Sequence, residues 1–394
     1  KNGLFFFPGK KLRMHKEKRK ISETTVSPRS TSFECSNCSK DEAQSRCSRC
    51  TAVKYCSKEC QKDHWVKHKT HCNEIKKKMI LLEKEAAPLR NFFNKNLFKE
   101  EVGNFMRIEQ TQLYCQQRFE LATAFHVCGM KNNSRLALGL AVENLLDILF
   151  LNRGDYLGVR AHIPSMLFML DEPEEAYDFL KWWQVSHQER YDYYNLDLPY
   201  CNLKGEDIFE DMSKLHLGKT HPQWLVSMYM VKYKMFQKIE KDKISYESFL
   251  LGTHPRVGED SPIQQIGGVS VILHNIKKCF SPIDKYETIR NQTIQILKFI
   301  DSKNKYIIPG FLNYKVLLEQ PNPLYVGEGG SLQDQAYGAV WFDIKHWEPV
   351  PDIFILTKEL YIQIHGKVKA ERDIAELPRE KVSLAKVLGK AHLA

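Results

Sequence analysis

The chain has 394 residues, 43% of them hydrophobic and 27% charged, enough apolar material for a core and enough charge for a solvated surface. No stretch reaches the about eighteen apolar residues that would span a bilayer, so no membrane role is expected, and a soluble protein of the cytoplasm, the nucleus or both is the expectation. The net charge of +10 is uneven: residues 1–30 hold nine Lys/Arg against two Glu, residues 31–78 eleven against six acids, and the remaining body is close to neutral. That distribution argues against a broad nucleic-acid surface on the body.

The chain starts at Lys1 rather than Met, as a fragment would. Lys10, Lys11, Arg13 and the cluster from Lys16 to Lys20 precede a Ser/Thr-rich stretch ending at Ser32. They predict a disordered basic tail over residues 1–33, read either as a nuclear-localisation or nucleic-acid arm or, more plainly, as a solvated tail.

Seven of the eleven cysteines then fall within one short segment, in the order Cys35, Cys38, Cys47, Cys50, Cys56, Cys60, His68, Cys72. Two C-x2-C pairs, a C-x3-C pair and an H-x3-C pair supply eight soft or imidazole ligands. A closed structural zinc site takes four, so eight imply two zinc ions. So short and polar a segment cannot fold on apolar burial alone, and metal binding has to contribute its folding energy. Disulfides are the other use of these thiols. The Phe5–Phe7 run is too short for a secretory segment, however, and an intracellular compartment keeps thiols reduced. Spacing alone is compatible with either sequential or interleaved pairing of the ligands.

The full ligand pattern, with Tyr55-Cys56-Ser57-Lys58-Glu59-Cys60-Gln61 followed by His64-Trp65-Val66-Lys67-His68-Lys69, resembles a MYND-type zinc finger over residues 34–73. The resemblance implies cross-braced sites: Cys35, Cys38, Cys56 and Cys60 on one ion, Cys47, Cys50, His68 and Cys72 on the other. His64 and His71 lie off the pattern and are expected in solvent or behind the ligands. The family binds short proline- and leucine-containing peptides, and the resemblance implies Ser48, Gln61 and Trp65 as groove residues. Gln61 and Trp65 are four apart and share a helix face, and a Trp offers a flat platform for an extended proline-rich segment. The plainer reading is that Trp65 only covers the zinc core.

Beyond the finger the pattern is helical. A connector over 74–110 is expected, with a helix from Ile75 to Phe98 interrupted near Pro88 and Asn94–Asn96. A second helix, Val102–Val127, should end at Gly129 and the Lys131–Ser134 cluster. Val142, Leu145, Leu146, Leu149 and Phe150 mark one apolar helix face. A further helix over Asp155–Leu170 would kink at Pro164, and Asp171 would cap the next, with Pro173 in its first turn. Short helices with one apolar face each bury those faces on one another as a helical-hairpin array. The segments Arg153-Gly154-Asp155-Tyr156-Leu157-Gly158-Val159-Arg160 and Glu174-Glu175-Ala176-Tyr177-Asp178-Phe179-Leu180 resemble a tetratricopeptide-like unit. Helices are also expected at Leu225–Ile239, Val269–Cys279 and Tyr286–Ile300. A Gly327–Gly330 bend and a capping box at Ser331–Asp334 should lead another, ahead of Ala336, Val340 and Trp341. Strand alternation is scarce. The expected fold is mostly α: a two-zinc finger, the connector, a repeat-like helical domain over 111–365 and a charged tail over 366–394.

Enzymatic readings find little support. A methyltransferase with such a finger needs an Asn-His-Ser/Asp-Cys segment and a further cysteine trio; an iron-dependent prolyl hydroxylase needs His-x-Asp, and the sequence has neither. Glu206, Asp207, Glu210 and Asp211 read as a solvated face rather than a hard-metal site. His187, His216, His221, His254 and His346 lack ligand spacing, and Cys115, Cys128, Cys201 and Cys279 read as single, mostly buried thiols. The Asp192-Tyr193, Asp197, Pro199-Tyr200 loop is either a binding edge or a packed turn. No catalytic residue is assigned. The expectation is a zinc-binding, non-enzymatic adaptor, with a protein partner held through a proline/leucine motif at the finger and a second on the helical body. The alternatives are an enzyme with its site in the body, or a nuclear transcription- or chromatin-associated regulator whose basic tail binds nucleic acid in a salt-dependent way.

Overall fold

Up to Tyr55 the polypeptide has few apolar residues, and its described residues form turns around the cysteines and one two-residue strand pair. The structure, a computed structural model, describes residues 34–40, 43–188, 191–215, 217, 220, 222–250, 283–318, 336, 340 and 351–375. Strand β1 (Ser45–Arg46) pairs antiparallel with β2 (Lys54–Tyr55), Ser45 facing Tyr55 and Arg46 facing Lys54. Helix α1 (Lys58–Leu89) follows at once. Its cap is Ser57, whose side chain accepts the Cys60 N–H at 3.2 Å, and Glu59 in the first turn complements the helix dipole.

The connector helix expected from Ile75 is therefore the second half of a longer helix that begins inside the finger. The buried positions of α1 are His64, His68, Cys72, Ile75, Leu82, Ala86 and Leu89, a single stripe that changes from ligands to apolar side chains partway along. Pro88 sits in the last turn. A tight reversal with a Phe92–Lys95 bridge leads to the short α2 (Leu97–Glu100).

Helix α3 (Glu109–Lys131) runs through Gly129 instead of stopping there. Gly129 is buried, and a Cβ on it would meet the Leu138 side chain at 2.7 Å, so this glycine lets the next helix approach. Helix α4 (Arg135–Leu151) starts at the Ser134 cap and is buried on all sides from Leu136 to Leu149. The single apolar face read from its leucines is corrected: the helix is buried all round, Glu143, Asn144 and Asp147 included, as a core helix is. Arg118 of α3 and Asp147 of α4 pair at 2.6 Å inside this contact, both out of solvent.

The Asp155–Leu170 segment is a turn, a 3-10 helix (Val159–His162) and then α5 (Ile163–Met169), with Pro164 in the first turn of α5 rather than at a kink. Helix α6 (Pro173–Gln188) follows. Asp171, expected as its cap, lies two residues ahead with φ 61° and places its carboxylate 3.2 Å from Lys234. Helix α7 (Pro222–Leu250) extends well beyond the expected Leu225–Ile239, and α8 (Tyr286–Lys303) coincides with its expectation. Helices α9 (Ile307–Leu312), α10 (Tyr314–Leu318), α11 (Pro351–His365) and α12 (Lys367–Ala375) complete the described residues.

Helix α1 packs on α3, and from α3 to α8 each helix packs on the next; α9, α11 and α12 cluster at the far end. The protein is mostly α, with the finger at one end of a helical array. Within the run from α3 to α8, helix length varies from 7 residues in α5 to 29 in α7. The expected Val269–Cys279 helix, the Gly327–Gly330 bend, the Ser331–Asp334 cap and the basic tail lie outside the described residues. Among the described residues no helix is long and apolar enough to cross a membrane.

Candidate metal centre and peptide face

The eight ligands gather into two groups, Cys35, Cys38, Cys56 and Cys60, and Cys47, Cys50, His68 and Cys72. This interleaved pairing is the cross-braced one. In each group every ligand atom lies within 4.8 Å of the others. Tetrahedral zinc with Zn–S bonds of about 2.3 Å implies sulfur–sulfur edges of about 3.8 Å. Here Cys38 and Cys56 sulfurs are 3.6 Å apart, Cys56 and Cys60 3.5 Å, Cys47 and Cys72 3.7 Å, and Cys50 Sγ is 3.3 Å from His68 Nε2. These spacings fit a metal tetrahedron and are far too long for disulfides of about 2.05 Å. Four thiolates in one group, and three thiolates with an imidazole in the other, are donor sets of structural zinc, and the two groups hold two zinc ions.

The two sites differ in exposure. Cys47, Cys50, His68 and Cys72 are all buried, whereas Cys38 is exposed and Cys56 and Cys60 are half-buried. A hydrogen bond between Cys50 and Cys47 draws the Cys47 thiol down to about 3 and pushes that of Cys50 up. Burial alone would raise Cys35, but backbone N–H groups of Cys56, Cys38 and Asn37 bring it down to about 6. Zinc loading therefore displaces protons from the less acidic thiols.

Two contacts around the ligands were not legible in the sequence. His64, expected in solvent or behind the ligands, is buried and meets the Tyr55 hydroxyl at 3.0 Å through Nδ1; its ring stacks on His68 at 5.9 Å. Burial lowers the His64 pKa and raises that of the Tyr55 hydroxyl, so both partners of this bond favour their uncharged forms. Ser134, at the start of α4, donates to the Ala52 carbonyl at 2.7 Å and fastens the finger's inner loop to the helical body. His71 is half-buried and belongs to neither ligand group.

Ser48 is exposed in the turn between Cys47 and Cys50, Gln61 is half-buried, and Trp65 is 36% exposed. The Cys50–His68 contact pins the Ser48 turn to α1 three residues beyond Trp65. Trp65 packs edge-to-face with the His68 ring, centroids 6.2 Å apart, and keeps about a third of its surface in solvent beside Val66, 86% exposed. Trp65 thus both packs on the zinc core and reaches solvent.

The acidic stretch is corrected. Asp178 gathers the Gly205 and Glu206 N–H groups at 2.7 and 2.9 Å, which brings Glu206 and Glu210 onto Lys181. The Tyr177 hydroxyl donates to Glu210 at 2.6 Å. Only Asp207 and Asp211 remain exposed, so half of the run is an internal ion network. The aromatic-acidic loop is a packed turn on its inner side: Tyr200 is buried against Trp182 and Phe150, and Tyr193 stacks on Trp183. Burial pushes the thiols of Cys115 and Cys128 up to about 12. Cys279, and the side chains of the five scattered histidines, lie outside the described residues.

No solved structure matches the chain. Residues 35–72 match the family model of the MYND finger, and the match leaves the helical body outside it. This segment is accordingly a MYND finger, a zinc-binding protein-interaction domain that here carries two zinc ions.

Proposed function

We propose that the protein is a non-enzymatic adaptor whose finger captures a proline- and leucine-containing peptide on the Ser48–Gln61–Trp65 face. The observation that carries this reading is the partial exposure of Trp65 on a helix that supplies ligands to both metal groups. A preorganised aromatic platform loses little entropy on binding an already extended proline-rich segment. The body offers a ridge for a second partner. Tyr156, Tyr194 and Leu196 are exposed together, the two hydroxyls hydrogen-bonded and the Arg107 guanidinium 4.5 Å above the Tyr194 ring.

The test is anisotropy of a labelled Pro-x-Leu-x-Pro peptide titrated with the zinc-loaded full chain. Saturable binding should weaken by about tenfold or more in Trp65→Ala, as for a buried aromatic anchor. Zinc content should stay at two equivalents. Unchanged binding in that variant would overturn the assignment of the face.

A further inference from the structure

Between Ala43 and Cys72 seven Lys/Arg stand against two acids, and their placement is not random. Lys58, Lys62, Trp65 and Lys69 follow one another on α1 at steps of four, three and four residues, so they share one helix face. All four are exposed. The two acids, Glu59 and Asp63, fall on the adjacent flank of the helix, away from this line. Across from α1, Arg46 and Arg49 bracket Ser48 and are also exposed. Among the described residues no carboxylate lies within ion-pair distance of these five cations. Trp65 is therefore flanked by exposed cations along α1, and Ser48, in the turn held against α1 by the Cys50–His68 contact, by two more.

We propose that the peptide taken by this face carries Asp or Glu residues on either side of its apolar core. The proposal rests on the peptide-capture reading above and adds the chemistry of the partner. Framing cations around an apolar anchor raise the encounter rate with an acidic partner and repel basic ones, so charge selects while Trp65 holds. A nucleic acid fits less well. Strand binding uses successive aromatic platforms, whereas Trp65 is the one exposed aromatic among the finger's described residues, Tyr55 being buried.

Three labelled peptides with the same Pro-x-Leu-x-Pro core and acidic, neutral or lysine flanks would be titrated against the zinc-loaded full chain. A single-stranded oligonucleotide would serve as the fourth probe. At ~50 mM salt the acidic peptide should bind about three- to tenfold tighter than the neutral one, and the lysine peptide weaker, a size suited to a few exposed ion pairs. The advantage should shrink to under about twofold at ~500 mM salt, where screening is nearly complete. The double variant K62Q/K69Q should lose most of the preference for acidic flanks while keeping two zinc equivalents and the thermal melt of the parent. Equal binding of acidic and neutral peptides overturns the charge proposal and leaves peptide capture standing. No binding of any peptide overturns both, and tighter salt-dependent binding of the oligonucleotide overturns the proposal in favour of nucleic acid.

Discussion

Lys232 has no access to solvent, and its ammonium donates to the Ile208 carbonyl and, at 2.8 Å, to Gln292 Oε1, with the Tyr177 ring 4.8 Å away. Burial pushes its pKa down to about 7, with Glu210 and Asp207 opposing the shift. In the unfolded chain a lysine titrates near 10.4, so between pH ~7 and ~10 the unfolded state binds more protons than the folded one. Folding stability should therefore rise with pH across that window, by up to about 1.4 kcal/mol per pH unit from this group, and be lost as pH falls toward 7. Urea unfolding of the parent and Lys232→Met at pH 7, 8 and 9 checks this: the parent should gain on the variant at each step. Parallel pH profiles would show that the amine is hydrated in the folded state. The sequence concealed this lysine because it sits in a largely apolar run, Met228 to Phe236, where its two lysines, Lys232 and Lys234, both read as the solvent side of a helix. Its partners come from the loop before α7 and from α8, and no local pattern announces them.

Elements were legible where their stabilising contacts are local. The leucine spacing of α4 and the extent of α8 followed from hydrophobic periodicity, whereas Ser134, read as the end of the preceding helix, caps α4. The start of α1 did not, because its first buried positions are His64, His68 and Cys72, and a scan for apolar residues first registers at Ile75. Gly129 misled for a related reason: a glycine near a polar cluster reads as a stop, yet here it serves a helix crossing. Gly129→Ala discriminates between the two roles. At a helix end or in an open interior it should be neutral or stabilising by up to about 1 kcal/mol. At a site where the new Cβ meets Leu138 Cγ at 2.7 Å and the Leu138 backbone nitrogen at 3.1 Å, overpacking should cost about 1–3 kcal/mol instead. Chemical denaturation gives the sign directly, and a stabilised variant would refute the crossing role.

For the whole molecule, the finger is built into the body rather than tethered to it. Ala52, Val53 and Tyr55 are fully buried, α1 runs unbroken from zinc ligands to the contact with α3, and Ser134 joins the Ala52 carbonyl to the start of α4. The eight ligands could be read from their spacing, but this docking could not: Ala52 and Ser134 are 82 residues apart, and each looks like an ordinary loop or cap residue. The arrangement makes the two metal sites unequal. Cys35, Cys38, Cys56 and Cys60 form the outer group with an exposed member, while Cys47, Cys50, His68 and Cys72 are all buried, on the side where Ala52 meets Ser134. A chelator should therefore remove zinc in two phases, the first without loss of helix and the second accompanied by a fall in helical signal and in Tm. Ser134→Ala removes both the bond to Ala52 and the cap on the Ala137 N–H at 3.2 Å, together worth about 1–2 kcal/mol. It should speed the second phase by up to about tenfold and leave the first unchanged. Zinc release followed with a chromogenic chelator, alongside circular dichroism, separates the phases. A single phase, or equal acceleration of both, would mean that the finger opens independently of the helices behind it.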